Sequence, residues 1–173
     1  MPVGTIQELF VDLLKDTYDA EKQLVKALPK LVEAAASPEL RAAFQEHLAV
    51  TEEQVERLKE VFQELGLPAQ GKHCAGMEGL IEEGEELIEE GGDPQVLDAG
   101  LIAAAQKVEH YEIAAYGTAR TWANLLNLKT AAQLLSQSLD EEAETDETLT
   151  QIAERLNVKA EVGDSTESSG TNE

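Results

Sequence analysis

The chain has little of what stabilises small secreted or sheet-rich proteins. Its 173 residues include one cysteine, Cys74, so no disulfide can form within the chain, which fits a reducing compartment. Aromatic residues make up only 4%, whereas alanine, leucine and glutamate are abundant, as in helical proteins. The first ten residues, MPVGTIQELF, lack the basic and apolar regions of a signal peptide, and no uncharged run has the length of a membrane span. We therefore expect an α-helical, cytoplasmic protein.

Basic residues are scarce as well. The 13 lysine and arginine residues face 35 aspartate and glutamate residues, which gives a formal net charge of -22. A surface of this sign repels phosphate backbones and anionic lipids, so we expect no nucleic-acid and no membrane partner. A salt-adapted, halophilic host, in which hydrated carboxylates keep a protein in solution, is one explanation of this excess.

The first half of the chain has the signals of two long helices. The sequence TIQE at residues 5–8 matches a capping box, and apolar residues follow it at three- and four-residue spacing. We predict that Pro29 kinks or ends this first helix. Ser37 and Pro38 have the pattern of a helix cap with proline in the first turn, and Gly66 marks the end of the second helix.

The second half repeats this arrangement after a loop. The sequence MEGLIEEGEELIEE at residues 77–90 predicts a short, acidic helix. Asp93 and Pro94 then predict the start of a third long helix, which runs to about Asn127. A second capping-box pattern, TAAQ at residues 130–133, predicts the start of a fourth.

The lengths of the connections predict the topology. Short connections within each pair predict antiparallel hairpins, and the long connection between the pairs predicts a crossover along the bundle. Two hairpins joined by one long crossover form the ferritin-like arrangement of a four-helix bundle. We therefore predict an all-α four-helix bundle at residues 1–157 and a disordered, acidic and polar tail at residues 158–173.

Polar side chains interrupt the apolar stripe of every long helix. In the segment AAAQKVEHYEIAAYGTAR at residues 103–120, Glu109 and Glu112 occupy the same face as the core residues. Counted from the turns, the third and fourth helices bring their polar residues to similar heights, whereas the first two helices match less closely. The other polar residues on these stripes are Glu21 on the first helix, His47, Thr51 and Gln54 on the second, and Glu142 and Asp146 on the fourth.

Carboxylates gathered in an apolar core need protons or cations to neutralise them, because an unpaired buried charge costs several kcal/mol. Inward-facing glutamates with histidine are the ligands of di-iron and di-manganese bundles, whereas zinc prefers more nitrogen or sulfur. This pattern predicts a metal site inside the bundle. The neighbours that can orient its ligands from a second layer are Tyr18, Gln106, His110 and Tyr111.

Each of these residues has an ordinary explanation when it is taken alone. A single glutamate such as Glu21 can reach solvent at the edge of a stripe, and His47 can be a hydrogen-bonded core histidine. The recurrence of such residues in four helices favours the metal site. By contrast, we predict that the acidic run at residues 82–90 is a solvated face, and that Cys74 beside His73 is structural because zinc ligands are missing around it.

Five segments resemble the YciE/YciF-type ferritin-like family of bacterial stress proteins. They are DTYDAEKQL at 16–24, FQEHLAVTEEQVERL at 44–58, CAGMEGLIEE at 74–83, LIAAAQKVEHYEIAAYGT at 101–118 and LDEEAETD at 139–146. The resemblance implies a rubrerythrin-like four-helix bundle, usually dimeric, with a dinuclear metal centre and a ferroxidase activity that is attributed largely from the fold.

The resemblance also implies a ligand set. The implied metal ligands are Glu21, His47, Glu109, Glu112, Glu142 and Asp146, with Thr51 and Gln54 facing the site. This chain departs from the pattern of ferritin-like proteins because Thr51-x-x-Gln54 and Glu142-x-x-Thr145 stand where Glu-x-x-His is usual. Val50 also stands where some relatives carry a glutamate. Fewer anionic ligands on the first helix pair imply weaker binding of one metal, or a mononuclear site.

The leading functional hypothesis is a homodimeric di-iron protein, with manganese as an alternative metal, that acts in oxidative-stress defence. As an oxidoreductase it would oxidise Fe(II) with O₂ or peroxide, and Tyr18, Tyr111 or Tyr116 could relay an electron or a proton. A peroxide-reducing di-manganese enzyme differs only in the metal and the oxidant. The alternative from another class is a non-catalytic, acidic helical stress or scaffold protein whose metal site is structural or vestigial.

Overall fold

The computed structural model of the protein describes residues 4–162, which form five α-helices. Within this range every regular element is helical, as predicted. None of the helices is both long enough and apolar enough to cross a membrane. The helices are α1 (Ile6–Ala34), α2 (Pro38–Glu64), α3 (Ala75–Glu90), α4 (Pro94–Leu125) and α5 (Lys129–Val162).

Three helices begin where the sequence indicates. The Thr5 hydroxyl accepts a hydrogen bond from the Glu8 amide at 3.1 Å, and the Glu8 carboxylate accepts one from the Thr5 amide at 3.0 Å, which is the predicted capping box. Ser37 and Asp93 cap α2 and α4 through their side chains, with proline in the first turn of each helix.

Two helices extend beyond a predicted end. Pro29 does not end α1, which continues to Ala34, because proline removes only one hydrogen bond while Leu28 and Leu31 on either side pack into the core. Helix α5 continues past residue 157 to Val162, because residues 158–162 contain no glycine or proline. The rest of the predicted tail, residues 163–173, lies outside the described residues.

The turn between α4 and α5 also differs from its prediction. Asn127 adopts a left-handed conformation with φ of 59°, and the Leu128 amide donates to the Ala123 carbonyl at 2.9 Å, which closes the end of α4. The Leu128 carbonyl already accepts the Ala132 amide at 2.9 Å. Thr130 therefore lies inside the first turn of α5 instead of capping it.

The long helices contact one another in the ring order α1, α2, α5, α4. Neighbours are antiparallel, since Glu39 near the start of α2 pairs with Arg155 near the end of α5. Helices α2 and α4 therefore run in the same direction at opposite corners, and the chain between them must return along the bundle. Helix α3 belongs to this crossover and packs across α1 and α4. The four long helices thus form the predicted bundle of two hairpins.

A polar layer divides the core of the bundle into two apolar clusters. The first cluster includes Phe10, Leu58 and Leu135, and the second includes Phe44 and Leu149 from the opposite ends of the helices. A third cluster joins α3 to α1 and α4. The buried polar residues of the layer between the first two clusters are Glu21, His47, Thr51, Gln54, Glu109, Glu112 and Glu142.

One further buried carboxyl group fastens the α1–α2 connection to α4. Asp98 is only 3% exposed, and its two oxygens accept hydrogen bonds from the amides of Ala36 and Ser37, each at 2.8 Å. Asp98 does not stand out in the sequence as a structural residue. Its bonds fix where α2 starts, and hence the position of His47 three turns later.

We expect Asp98→Ala to lower the free energy of unfolding by about 2–3 kcal/mol, because two backbone amides lose their charged acceptor. Urea denaturation followed by circular dichroism measures this change. The control is Asp140→Ala, which removes an exposed aspartate from α5 and should leave the stability nearly unchanged. Equal stabilities for the two variants would contradict the structural role of Asp98.

Candidate metal centre

Four side chains from three helices converge in the polar layer. They are His47 on α2, Glu109 and Glu112 on α4, and Glu142 on α5, and one ligand atom from each lies within 4.8 Å of the others. Each of the four is at most 2% exposed. We call these four residues the ligand cluster. Their atom types, carboxylate oxygen with one imidazole, are those that bind divalent metal ions in proteins.

Glu21 approaches the ligand cluster from α1. It is fully buried, and one of its oxygens accepts a hydrogen bond from the Tyr116 hydroxyl. Burial raises the pKa of the Glu21 carboxyl group, and the nearby charge of Glu142 raises it further. All four long helices therefore contribute a polar group to this layer, as the sequence indicates.

The buried atoms without hydrogen-bond partners are concentrated in this layer. Among the described residues, nine buried side-chain nitrogen and oxygen atoms lack a partner, and all nine belong to six residues of the layer. Such atoms cost free energy unless something else binds them. Lone pairs aimed into a common space are what a cation requires, so the residues present fit a metal site. The nine atoms are Glu21 Oε2, His47 Nδ1 and Nε2, Gln54 Oε1, Glu109 Oε1 and Oε2, Glu112 Oε1 and Oε2, and Glu142 Oε2.

The contact between His47 and Glu109 has the spacing of two ligands of one ion. His47 Nε2 lies 3.2 Å from Glu109 Oε1, yet neither atom makes a hydrogen bond of acceptable geometry. A misaligned pair of this kind gains little as a hydrogen bond. Ligand atoms about 2.1 Å from an octahedral cation lie about 3.0 Å apart, which is close to the spacing found here.

Hydrogen bonds hold two of the glutamates by one oxygen each. Tyr116 donates to Glu21 Oε1, and the Gln54 amide donates to Glu142 Oε1, so that only the second oxygen of each carboxylate remains unpartnered. Glu109 and Glu112 keep both oxygens unpartnered. Glu21 and Glu142 can therefore offer one ligand atom each, whereas Glu109 and Glu112 can offer two each.

A nearby arginine is already engaged outside the ligand cluster. Arg57 is 8% exposed and donates to both oxygens of Glu141, at 2.7 and 2.8 Å, and to the Ser138 hydroxyl at 2.8 Å. Gln54 bridges Glu141 to Glu142. Arg57 was not among the predicted site residues, although its position three residues after Gln54 indicates that it lies on the same inward face of α2.

Burial shifts the pKa values of the whole layer. Loss of solvation, together with the neighbouring carboxylates, raises the pKa of Glu21, Glu109 and Glu112 well above the usual value, and burial also raises the pKa of Glu142. Burial lowers the pKa of His47 to about 4, so its imidazole is neutral near pH 7 and can bind a metal. The carboxyl groups must therefore hold either protons or cations at that pH.

Two residues predicted to face the site have other contacts. Asp146 lies outside the ligand cluster, and its side chain is 21% exposed. Its carboxylate accepts a hydrogen bond from the Gln106 side-chain amide at 3.1 Å and lies 3.4 Å from His110 Nε2. One helical turn beyond Glu142, its short side chain turns toward the outer side of α4. Thr51 is buried in the layer, but its hydroxyl donates to the His47 carbonyl of its own helix at 2.9 Å.

Three second-layer candidates contact other groups. Tyr18 belongs to the first apolar cluster, where its ring meets the Phe62 ring edge to face at 5.8 Å. The Tyr111 hydroxyl donates to Asp16 at 2.8 Å and lies 2.9 Å from Cys74 Sγ, which ties α4 to the start of α3. The His110 side chain is 69% exposed. Tyr116 and Gln54 are the residues that hydrogen-bond to carboxylates of the layer.

Known proteins resemble this chain over most of its length. A family model described as a domain of unknown function, DUF892, matches residues 5–161. Protein YciF of Escherichia coli is 50% identical over 163 residues, which cover 93% of this chain and 98% of YciF.

Solved structures resemble it as well. The crystal structure of the E. coli stress protein YciF superposes with a TM-score of 0.88 at 48% identity, covering 91% of this chain and 99% of that chain. The structure of YcfI from Rhodopseudomonas palustris superposes with a TM-score of 0.84 at 41% identity, covering 86% of this chain and 94% of that chain. A protein from Xanthomonas campestris gives 0.67 at 22% identity, covering 89% and 94%, and shows the likeness of the fold alone.

We expect the chelator-treated protein to lose stability as the pH rises above about 6.5, the usual pKa of histidine. Each proton that the folded state retains on a buried glutamate, and that the unfolded chain has released, lowers the free energy of unfolding by about 1.4 kcal/mol per pH unit. His47 has the opposite effect on stability, but only below pH 6.5, the usual pKa of histidine. In that range the unfolded chain binds a proton that the buried imidazole of the folded state does not.

Urea denaturation at several pH values measures this dependence. Glu112→Gln removes one of the buried acids and should make the slope shallower, whereas Glu89→Gln, an exposed change on α3, should leave it unchanged. Identical slopes in the two variants would show that Glu112 does not carry a raised pKa.

Proposed function

The chain belongs to the DUF892 family of YciF-like proteins, and we propose that it is a dinuclear iron protein that oxidises Fe(II) with O₂ or peroxide in stress defence. The observation that carries this proposal is the layer of four buried carboxylates and one neutral imidazole whose ligand atoms have no protein partner. Manganese is the alternative metal, because it accepts the same oxygen-rich ligands. The proposal keeps the expected homodimer and cytoplasmic location.

The charge of the layer supports two ions. Glu21, Glu109, Glu112 and Glu142 carry four negative charges when ionised, and two divalent cations balance them. A single divalent ion would leave two carboxylates to be protonated. Arg57 does not replace the second cation, because its guanidinium is bound to Glu141 and Ser138.

The unpartnered oxygens indicate how the residues would hold the ions. Glu109 and Glu112 can bridge or chelate, since both oxygens of each are unpartnered, while Glu21 and Glu142 offer one oxygen each from the two sides. His47 supplies the nitrogen ligand. Fe(II) held by these residues would supply the electrons for the reduction of O₂ or peroxide, and the carboxylates would stabilise the ferric product.

The residues around the ligands keep the site ordered and dry. The two apolar clusters close the layer at both ends and exclude bulk water, which strengthens every electrostatic interaction inside it. Tyr116 and Gln54 hold Glu21 and Glu142 in position. Tyr116 is also the tyrosine that can exchange a proton with the layer, because its hydroxyl contacts a ligand carboxylate.

A second candidate function is a non-catalytic stress or scaffold protein with a structural metal. Two observations favour it. A structural role has been suggested for the R. palustris relative YcfI. In addition, the ligand cluster by itself can hold one ion that ties α2, α4 and α5 together.

We expect anaerobic titration of the chelator-treated protein to show tight binding of about two Fe(II) per chain. Admission of O₂ or peroxide should then produce a ferric absorption band. Glu109→Gln and Glu142→Gln each remove a ligand oxygen's charge and should abolish the band, whereas the exposed change Glu147→Gln on α5 should retain it.

The three outcomes of this titration separate the candidates. Two ions with a ferric band support the proposed oxidation of Fe(II). One ion per chain that is held without oxidation favours the structural role. Absence of stoichiometric binding, or the same response in Glu142→Gln and Glu147→Gln, contradicts both candidates.

A further inference from the structure

A polar cavity of about 130 Å³ opens in the groove between α2 and α5. Its walls combine three glutamates and two threonines with small and apolar side chains, and no lysine or arginine lines it. The residues from α2 are Ala43, Phe44, Glu46, His47 and Val50, and those from α5 are Glu141, Glu144, Thr145, Thr148 and Leu149.

His47 joins this cavity to the ligand cluster. Its ring lines the cavity, while its Nε2 lies 3.2 Å from Glu109 Oε1 on the other side. The side chain is 98% buried, since only 2% is exposed, and both ring nitrogens lack a partner. The cavity therefore ends at a side chain that the metal centre already requires.

The lining suits a hydrated divalent cation. Such ions bind carboxylate and hydroxyl oxygens while they keep several waters. Glu46 and Glu144 are exposed at the surface, and Glu141 lies deeper and is paired with Arg57. Two acidic side chains therefore remain available at the mouth to attract a cation toward His47.

The other faces of the bundle are less suitable. Helix α3 covers the groove between α1 and α4, where a cavity of about 30 Å³ is walled mainly by apolar residues such as Leu24, Leu80 and Val108. A charged ion would lose its hydration there without gaining ligands. The α1–α2 and α4–α5 pairs are hairpins with short connections.

We propose that the α2–α5 groove is a transit site, through which hydrated divalent first-row cations reach the buried ligands past His47. This inference deepens the proposed function and rests on it, with Fe(II) as the natural cation. Glu46 and Glu144 attract the ion, and the small side chain of Val50 keeps the passage open.

Loading of Co²⁺ into the chelator-treated, full-length protein tests the transit site without reference to its activity. Stopped-flow absorption gives the loading rate, and titration gives the affinity. We expect the double variant Glu46→Gln/Glu144→Gln to load about tenfold more slowly at low salt, and the difference to shrink at high salt because ions screen the attraction. The matched control is Glu53→Gln/Glu147→Gln, which removes two exposed glutamates of the same helices outside the cavity and should load at the wild-type rate.

A second variant tests the passage by its size. Val50→Phe should fill the groove and slow both Co²⁺ loading and its removal by chelator, while the affinity stays the same because no ligand has changed. Val96→Phe, at an exposed position of α4, is its control. Normal Co²⁺ binding with unchanged rates in both the charge and the size variants would overturn the transit site alone. Failure of the wild-type protein to bind Co²⁺ would overturn the metal centre as well.

Discussion

The structure depends on how four carboxyl groups are neutralised inside an apolar bundle. Glu21, Glu109, Glu112 and Glu142 are buried side by side between two apolar clusters, and no lysine or arginine of residues 4–162 forms an ion pair with them. Repulsion and lost solvation would force such groups apart or keep them protonated. Cations bound in the layer would resolve this conflict, and they would also explain why the unpartnered atoms of the described residues gather at this level of the bundle.

The same constraint links the fold to the proposed function. Each long helix contributes to the layer, so a bound ion connects elements that are distant in the chain and stabilises the folded state by its binding free energy. Because of this site, the bundle has two separate apolar clusters instead of one continuous apolar core. The acidic composition acts in the same direction, because a net charge of -22 raises the concentration of cations around the protein.

Periodicity and caps predict most of the fold, and they predict the inward direction of the site residues. The stripe that carries Glu109 and Glu112 is buried as expected, and the ferritin-like bundle is confirmed. The sequence pattern does not predict how packing against neighbouring helices changes the length of a helix or the contacts of a side chain. Pro29 lies inside α1 because tertiary packing outweighs one lost hydrogen bond, and Asp98 acts through a contact with residues 36 and 37, far away in the sequence. The sequence does not distinguish the three tyrosines as candidates for contact with the site. In the structure, the Tyr116 hydroxyl is the one of the three that hydrogen-bonds to a carboxylate of the layer, because the partner of a side chain depends on its neighbours in space.

Anomalous diffraction from crystals loaded anaerobically with Fe(II) tests the neutralisation of the buried carboxylates most directly. Data collected on both sides of the iron absorption edge locate iron without assumptions about its ligands. We expect anomalous peaks inside the polar layer, within bonding distance of His47 and Glu109. Contrary results would be the absence of iron from the layer, or these carboxylates turned to solvent or paired with lysine and arginine.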